Sequence, residues 1–302
     1  MEFFCPQPMT SMSRMAEPVE YDNSSIPNKR LDIRYGALPE QKLDIYLPAE
    51  GKGPWPVIIY VHGGGWNMGT KRIGVLGGLV GTLAKGYAVI SVDYRLAPET
   101  VFPEFLYDVK TAIRWARANA AEYGFDPARF ALLGDSAGAQ LCLTAAFTAD
   151  LPEYEGEKYG WEGVSSAVAA VIDMYGPSAL YADNAQWLNE SGILFASLNG
   201  EGKVSRLDDM MKYLSSDPAL LPMISPLALV HKDIPPVLIL HGESDHVVPV
   251  QHAKLLRERI TKVCGADRVE VILYPERVHA DKEFSTDENA ETVVSFLDRV
   301  MK

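Results

Sequence analysis

Residues 130–147 read FALLGDSAGAQLCLTAAF. Phe130 to Leu133 is a short apolar run, the pattern of a strand buried on both faces. Ala137 to Phe147 is rich in good helix formers and reads as a helix. Between them stands Gly134-Asp135-Ser136-Ala137-Gly138, a Gly-x-Ser-x-Gly pentapeptide. A strand that passes straight into a helix bends sharply here, and the serine backbone is strained. Side chains two residues before and two after the serine would collide, and both positions are glycine. The hydroxyl of Ser136 then projects above the sheet, at a helix N-terminus whose dipole favours negative charge. Ser136 is therefore the candidate nucleophile.

The same two signals alternate outward from this point. Strand candidates are Leu31–Tyr35, Leu43–Tyr46, Pro56–His62, Ala88–Tyr94, Phe130–Gly134, Ala167–Met174, Pro236–His241 and Val269–Tyr274. Several, such as VIIYV and VLILH, are apolar almost throughout, as expected of parallel strands covered by helices. The first two alternate more and suit an antiparallel pair at an edge. Helix candidates are Leu76–Ala84, Phe105–Glu122, Ala137–Phe147, Gln251–Val263 and Asp287–Val300, with Asp126-Pro127 marking a turn after the second. Repeated β-α-β units predict an α/β fold, a doubly wound, mostly parallel eight-stranded sheet. Residues 1–28 read as an N-terminal arm. Residues 178–228 interrupt the rhythm and read as a small cap or lid insertion over the C-terminal edge of the sheet, where open α/β sheets place their ligands. The whole is expected to be one domain.

Composition narrows the function classes. The chain has 302 residues, 47% of them hydrophobic, enough for a sizeable core. Lys and Arg number 28 against 40 Asp and Glu, a net charge of −12. Nucleic acid and anionic membranes reward clustered cations, so neither is expected as a partner. No stretch of 18 or more apolar residues suggests a membrane span. The three cysteines, Cys5, Cys142 and Cys264, form neither a disulfide framework nor a zinc spacing. No metal and no cofactor is implied. Without a secretory signal pattern at the N-terminus, a cytoplasmic location is expected.

A second glycine-rich segment, His62-Gly63-Gly64-Gly65-Trp66, follows the strand VIIYV. Unshielded backbone N–H groups there, together with that of Ala137, suit the oxyanion of a tetrahedral intermediate. His62 reads as a loop-stabilising residue. A serine nucleophile also needs a base, and the base needs a carboxylate to orient it. Among six histidines, His279 lies just past the last strand and fits that position. His241 precedes the candidate acid, His246 adjoins it, and His252 falls in a helix. For the acid, the loop Gly242-Glu243-Ser244-Asp245 offers two carboxylates. Asp245 is preferred by its place in the loop, and Glu243 remains the rival. Trp66, Trp187 and Tyr181 are candidates to line a substrate pocket.

The segments YVHGGGW, VDYRLAPE, GDSAGAQL and HGESDHVVP together resemble the α/β-hydrolase esterases related to hormone-sensitive lipase, and in particular the bacterial branch with feruloyl and acetyl esterases. The resemblance covers about residues 41–300. It implies Ser136, Asp245 and His279 as a triad and Gly64, Gly65 and Ala137 as oxyanion donors. It makes Asp93, Tyr94 and Arg95 a polar network behind the active-site loops. Two departures stand out. Many relatives carry a glycine close to the catalytic histidine, where this chain reads Arg277-Val278-His279-Ala280. Many also carry a long N-terminal cap helix, for which residues 1–40 are too irregular. The expected activity is hydrolysis of short acyl esters through an acyl-enzyme, with acetyl or feruloyl groups on plant oligosaccharides as a narrower possibility. An amidase or peptidase on the same triad, or a ligand-binding module on a retired hydrolase fold, are the alternatives. Homo-oligomerisation stays open.

Overall fold

Each apolar run becomes a strand, and the degree of apolarity sets its place in the sheet. The computed structural model describes residues 20–156, 160–180 and 220–301. Its strands are β1 (Lys29–Arg34), β2 (Lys42–Tyr46), β3 (Trp55–Val61), β4 (Ala88–Val92), β5 (Phe125–Asp135), β6 (Ala170–Met174), β7 (Val237–Gly242) and β8 (Val269–Tyr274). They form one sheet in the order β1-β2-β4-β3-β5-β6-β7-β8. The β1–β2 and β2–β4 pairs are antiparallel; every other pair is parallel. β4, β6 and β7 are buried at every residue, whereas β1, at an edge, alternates. That is the contrast expected between strands covered on two faces and strands at a margin.

The pleat divides the core in two. Val57, Ile59 and Val61 of β3 face one layer, and Ile58 and Tyr60 face the other. The first layer holds α2 (Glu104–Ala118), α4 (Ala137–Phe147) and α7 (Gln251–Cys264). The second holds α1 (Leu76–Leu79) and α8 (Asp287–Val300). Short helices α3 (Ala120–Tyr123), α5 (Pro152–Glu155) and α6 (Leu221–Ile224) complete the described helices. All eleven residues of α4 are buried. A helix apolar on every side belongs at the centre of a protein, and α4 sits between α2 and the sheet beside β5 and β6.

Three expectations change in detail. The run from Leu76 to Ala84 is an α-turn that tightens into a 3₁₀ helix, Val80–Lys85. Gly78 lies against the Ser285 backbone, where a Cβ would come within 2.5 Å of its carbonyl oxygen. The Phe105–Glu122 run breaks at Asn119 into α2 and α3. The Asp126-Pro127 turn is present but falls within the span of β5: Ala128 N donates to Asp126 Oδ1 at 3.0 Å, and the pairing with β3 passes from Trp55–Phe125 to Val57–Phe130. A proline lacks the N–H for a continuous ladder, and the break in pairing over residues 126–129 accommodates it.

The expected insertion 178–228 is described only at its ends. There Leu227 N donates to Ser178 O (2.9 Å) and Leu180 N to Ser225 Oγ (3.1 Å). Tyr181 and Trp187 lie outside the described residues, as do residues 1–19 of the arm. Among the described residues no helix is long and apolar enough to cross a membrane.

Candidate active site

β5 lies near the middle of the sheet, and its last residue hands over directly to α4. Ser136, at the handover, adopts φ 51°, ψ −120°. That backbone is strained for a residue with a side chain, and the surroundings enforce it. A Cβ on Gly134 would come within 2.4 Å of the Gly138 carbonyl group, and one on Gly138 within 2.1 Å of Val61 O. Ser136 N donates to Met174 O at 2.9 Å, tying the bend to the end of β6.

The Ser136 hydroxyl lies 2.9 Å from His279 Nε2, and His279 Nδ1 lies 2.7 Å from Asp245 Oδ2. A buried carboxylate only accepts, so Nδ1 carries the ring proton and Nε2 accepts from the serine hydroxyl. The three residues come from the ends of β5, β7 and β8, separated by 143 and 34 positions in the chain. Asp245 is buried, and its other oxygen accepts from the backbone N–H groups of Val247 and Val248, both at 2.8 Å. Burial pushes its carboxyl upward, but hydrogen bonds from His241 and His279 outweigh this and hold it well below the usual carboxylate range. Glu243, the rival acid, is exposed. The Tyr175 and His279 rings pack edge to face, with centroids 4.9 Å apart.

The glycine loop lies on β3, next to β5. Gly64 and Gly65 have φ values of 116° and 58°. The N–H groups of Gly64, Gly65 and Ala137 make no hydrogen bond with the described residues. The loop is braced by a residue the sequence did not single out. Asp135, the second residue of the pentapeptide, accepts on Oδ1 from the Tyr60 hydroxyl (2.6 Å) and from Gly63 N (3.0 Å). Burial pushes the Asp135 carboxyl up against the opposing pull of these donors. The carboxylate thus joins the serine bend to the glycine loop. Gly63 itself has no room for a side chain, since a Cβ would stand 2.7 Å from Asp135 Oδ2.

His62 is buried and stacked on Tyr94 with ring centroids 4.5 Å apart, and its Nδ1 donates to Gly63 O at 2.7 Å. Burial lowers its basicity. The Tyr94 hydroxyl donates to His62 O at 3.0 Å. Asp93 takes both the backbone N–H (2.6 Å) and the ammonium (2.7 Å) of Lys71, and Arg95 forms a two-pronged bond with Asp108, both N···O distances 2.8 Å. Asp93, Tyr94 and Arg95 thus form the polar scaffold behind the loops.

Trp66 is a correction. Its side chain is only 1% exposed, and its indole N–H donates to Gln140 Oε1 at 3.1 Å. The φ of 61° turns the residue back into the core, so Trp66 packs beneath the site instead of lining a pocket. Gln140 in turn donates to Ile224 O at 2.6 Å, linking α4 to the far end of the 178–228 segment. No signal in the sequence marked Gln140 or Asp135. Among the described residues no cluster of three or more His, Cys, Asp or Glu side chains is arranged to hold a metal ion.

Comparison with known proteins agrees with this geometry. The family model BD-FAE matches residues 43–260, which include Ser136, Asp245 and the glycine loop. The chain belongs to the BD-FAE family. Esterase LipC of Mycobacterium tuberculosis is 35% identical to this BD-FAE member over 240 residues, spanning 78% of this chain and 55% of the relative. Isoprenylcysteine alpha-carbonyl methylesterase ICME of Arabidopsis thaliana is 29% identical over 256 residues, 83% of this chain and 56% of the relative. The chain therefore spans just over half the length of these curated relatives. A truncated carbohydrate esterase from gut microbiota superposes with a TM-score of 0.78 at 25% identity, covering 94% of this chain and 99% of that structure.

Proposed function

We propose that the protein is a serine carboxylesterase that cleaves small acyl esters through an acyl-enzyme. The observation that carries this reading is the unbroken chain Ser136 Oγ–His279–Asp245, with both links at hydrogen-bond distance. His279 takes the proton as Ser136 attacks the acyl carbon. Negative charge then gathers on the carbonyl oxygen, and the N–H groups of Gly64, Gly65 and Ala137 are assigned to receive it. The protonated His279 is stabilised by the ionised Asp245 and returns its proton to the leaving alcohol. Water enters by the same route in reverse and frees the serine.

For substrate class, the likeness to a carbohydrate esterase and the family membership favour acetyl or feruloyl esters on sugar chains. Trp187 and the 178–228 insertion, which leaves and re-enters the fold beside α4, are proposed as the substrate-facing wall.

Hydrolysis of p-nitrophenyl acetate by the wild type and by Ser136→Ala tests the mechanism. Loss of the nucleophile is expected to lower kcat by about 10⁴-fold or more. Equal rates in the two proteins would sink the reading. Acetate release from acetylated xylo-oligosaccharides and ferulate release from a feruloyl sugar ester test the substrate class. Good activity on alkyl esters with neither release would remove the sugar reading, and faster turnover of an aryl amide would turn the assignment to an amidase.

A further inference from the structure

Three successive residues of the glycine loop, Gly64, Gly65 and Trp66, hold positive φ values of 116°, 58° and 61°. Glycine takes such a backbone freely, whereas a bulky side chain is strained there and persists only when its surroundings enforce it. Three contacts hold Trp66. Its carbonyl accepts from Ala97 N at 2.8 Å, its ring is buried, and its indole N–H donates to Gln140 Oε1 at 3.1 Å. The last of these crosses from the loop to α4.

Gln140 is fully buried, and both ends of its amide are engaged. An indole N–H only donates and a peptide carbonyl only accepts, which fixes the way the amide points. Oε1 takes Trp66, while Nε2 donates to Ile224 O at 2.6 Å and to Thr144 Oγ1 at 3.0 Å. Ile224 is itself buried, and Ser225 beside it donates through Oγ to Ser178 O at 3.2 Å. The amide is therefore a strut with fixed anchors behind it. It also stands one helical turn beyond the nucleophile, since Gln140 N donates to Ser136 O at 3.2 Å. At the other end of the loop Asp135, the residue before Ser136, holds Gly63 N at 3.0 Å. Gly64 and Gly65 lie between these two clamps.

We infer that Gln140 is a positioning residue for the oxyanion loop, acting through Trp66. By holding the indole it stabilises the left-handed turn at residues 65 and 66. It thereby registers the N–H groups of Gly64 and Gly65 against Ser136, because strut and nucleophile ride on the same end of α4. A glutamate of the same shape could accept from Trp66 but would set a second acceptor against Ile224 O, so the place calls for an amide. The inference rests on the esterase reading and names the residue that aligns its oxyanion donors.

The test uses the full chain with Gln140→Leu, Trp66→Phe, the double variant Gln140→Leu/Trp66→Phe, and Thr144→Val. With p-nitrophenyl acetate, Gln140→Leu is expected to lower kcat by about ten- to a hundredfold while KM stays nearly constant, since misplacing a charge-receiving group by about 1 Å can cost that much. Trp66→Phe keeps an aromatic ring without the N–H and should reproduce most of the loss. The double variant should be no worse than Gln140→Leu alone, because the two act through one linkage. Thr144→Val leaves the Trp66–Gln140 contact in place and should stay near the wild type. A trifluoromethyl ketone, which adds to Ser136 and carries charge on its oxygen, should bind more weakly by the same factor as kcat falls.

An unchanged kcat in Gln140→Leu or in Trp66→Phe would overturn the inference. So would a multiplied loss in the double variant, an equal loss in Thr144→Val, or an unchanged affinity for the ketone. Should Gln140→Leu fail to fold, Trp66→Phe decides. A second readout needs no substrate. Adjacent glycines occur only at 63–64, 64–65 and 77–78. With glycine carrying both ¹⁵N and carbonyl ¹³C, a carbonyl-filtered spectrum therefore shows the amides of Gly64, Gly65 and Gly78 alone. Gln140→Leu and Trp66→Phe should shift the first two and leave Gly78, on α1, in place. Unmoved Gly64 and Gly65 amides would overturn the inference. An inert Ser136→Ala beside a fully active Gln140→Leu sinks this inference alone, whereas a wild type without ester hydrolysis sinks the esterase reading and leaves the glycine amides to decide this one.

Discussion

Ser136 and His279 meet at 2.9 Å, yet the chain holds them in opposite ways. The serine is gripped by backbone. It stands between a strand whose last six residues are all buried or nearly so and a helix buried on every side, with glycines where any side chain would strike main-chain atoms. The histidine is held by side chains on a peripheral loop. Pro275, Glu276, Val278 and Ala280 around it are exposed, and its orientation comes from Asp245 and the Tyr175 ring. The lesson is that damage to the first region should appear in folding, and damage to the second in rate.

The largest expected effect probes the second region. Asp245→Asn leaves the shape nearly intact but favours the wrong ring tautomer of His279, and kcat should fall by about 10⁴-fold with only a small change in melting temperature. Steady-state kinetics beside a thermal melt separates the two. If the melt moves as much as the rate, the contrast between the regions is wrong. Gly138→Ala probes the first region. Its new methyl group would press on Val61 O at 2.1 Å, and a loss of about 3 kcal/mol or more in urea unfolding is expected, or no soluble protein at all.

A third prediction concerns acid. Burial drives His252 down to about 3, while its Nδ1 accepts from the N–H groups of Ser178 (3.2 Å) and Ala179 (3.0 Å). Its folded-state value lies below that of the unfolded chain, so below about pH 6.5 the unfolded chain binds a proton that the folded one refuses. The stability is complete above that pH and declines as the pH falls towards 3. Urea midpoints at neutral and mildly acid pH should diverge less in His252→Asn than in the wild type. An identical acid slope in both would show that this histidine does not govern it.

The smallest effect belongs to the loop of the base. Ala280 has φ 54°, a left-handed backbone that costs a side chain roughly 1 kcal/mol. Ala280→Gly removes that cost but adds freedom to the unfolded chain, so a net gain of about 0.5 kcal/mol or less is expected, with unchanged kcat. A clear drop in kcat would mean that the alanine methyl restrains His279 directly.

Much of this arrangement was legible before any coordinates. The inner strands could be seen because two-sided burial writes unbroken apolar runs such as VLILH, the edge pair because its residues alternate, and α4 because Gly-x-Ser-x-Gly marks the bend before it. Ser136, Asp245 and His279 were legible because strand ends in this fold are fixed places in the chain. What escaped was everything decided by packing across the sheet. Pro127 looked like the end of a helix region, and its turn interrupts a strand instead, with residues 126–129 out of register with β3. Trp66, beside three glycines, looked like a pocket wall and is core, because its backbone folds it inward. Asp135 carried no signal of its own within the motif, because its partners Tyr60 and Gly63 lie over seventy residues away. The departure at Ala280 was visible, and the structure shows that the left-handed turn survives it.

β3 and β5 are neighbours, and their parallel pairing sets Val61 beside Gly134. The glycine loop and the serine therefore start from adjacent rungs of one ladder, a spacing of about 4.8 Å that belongs to every β-sheet. In the proposed mechanism, that inter-strand spacing sets the gap between the attacking oxygen and the amides assigned to receive the charge. A chain built this way can exchange its outer segments for others, and so change which molecule it admits, while the ruler that aligns bond-breaking stays untouched.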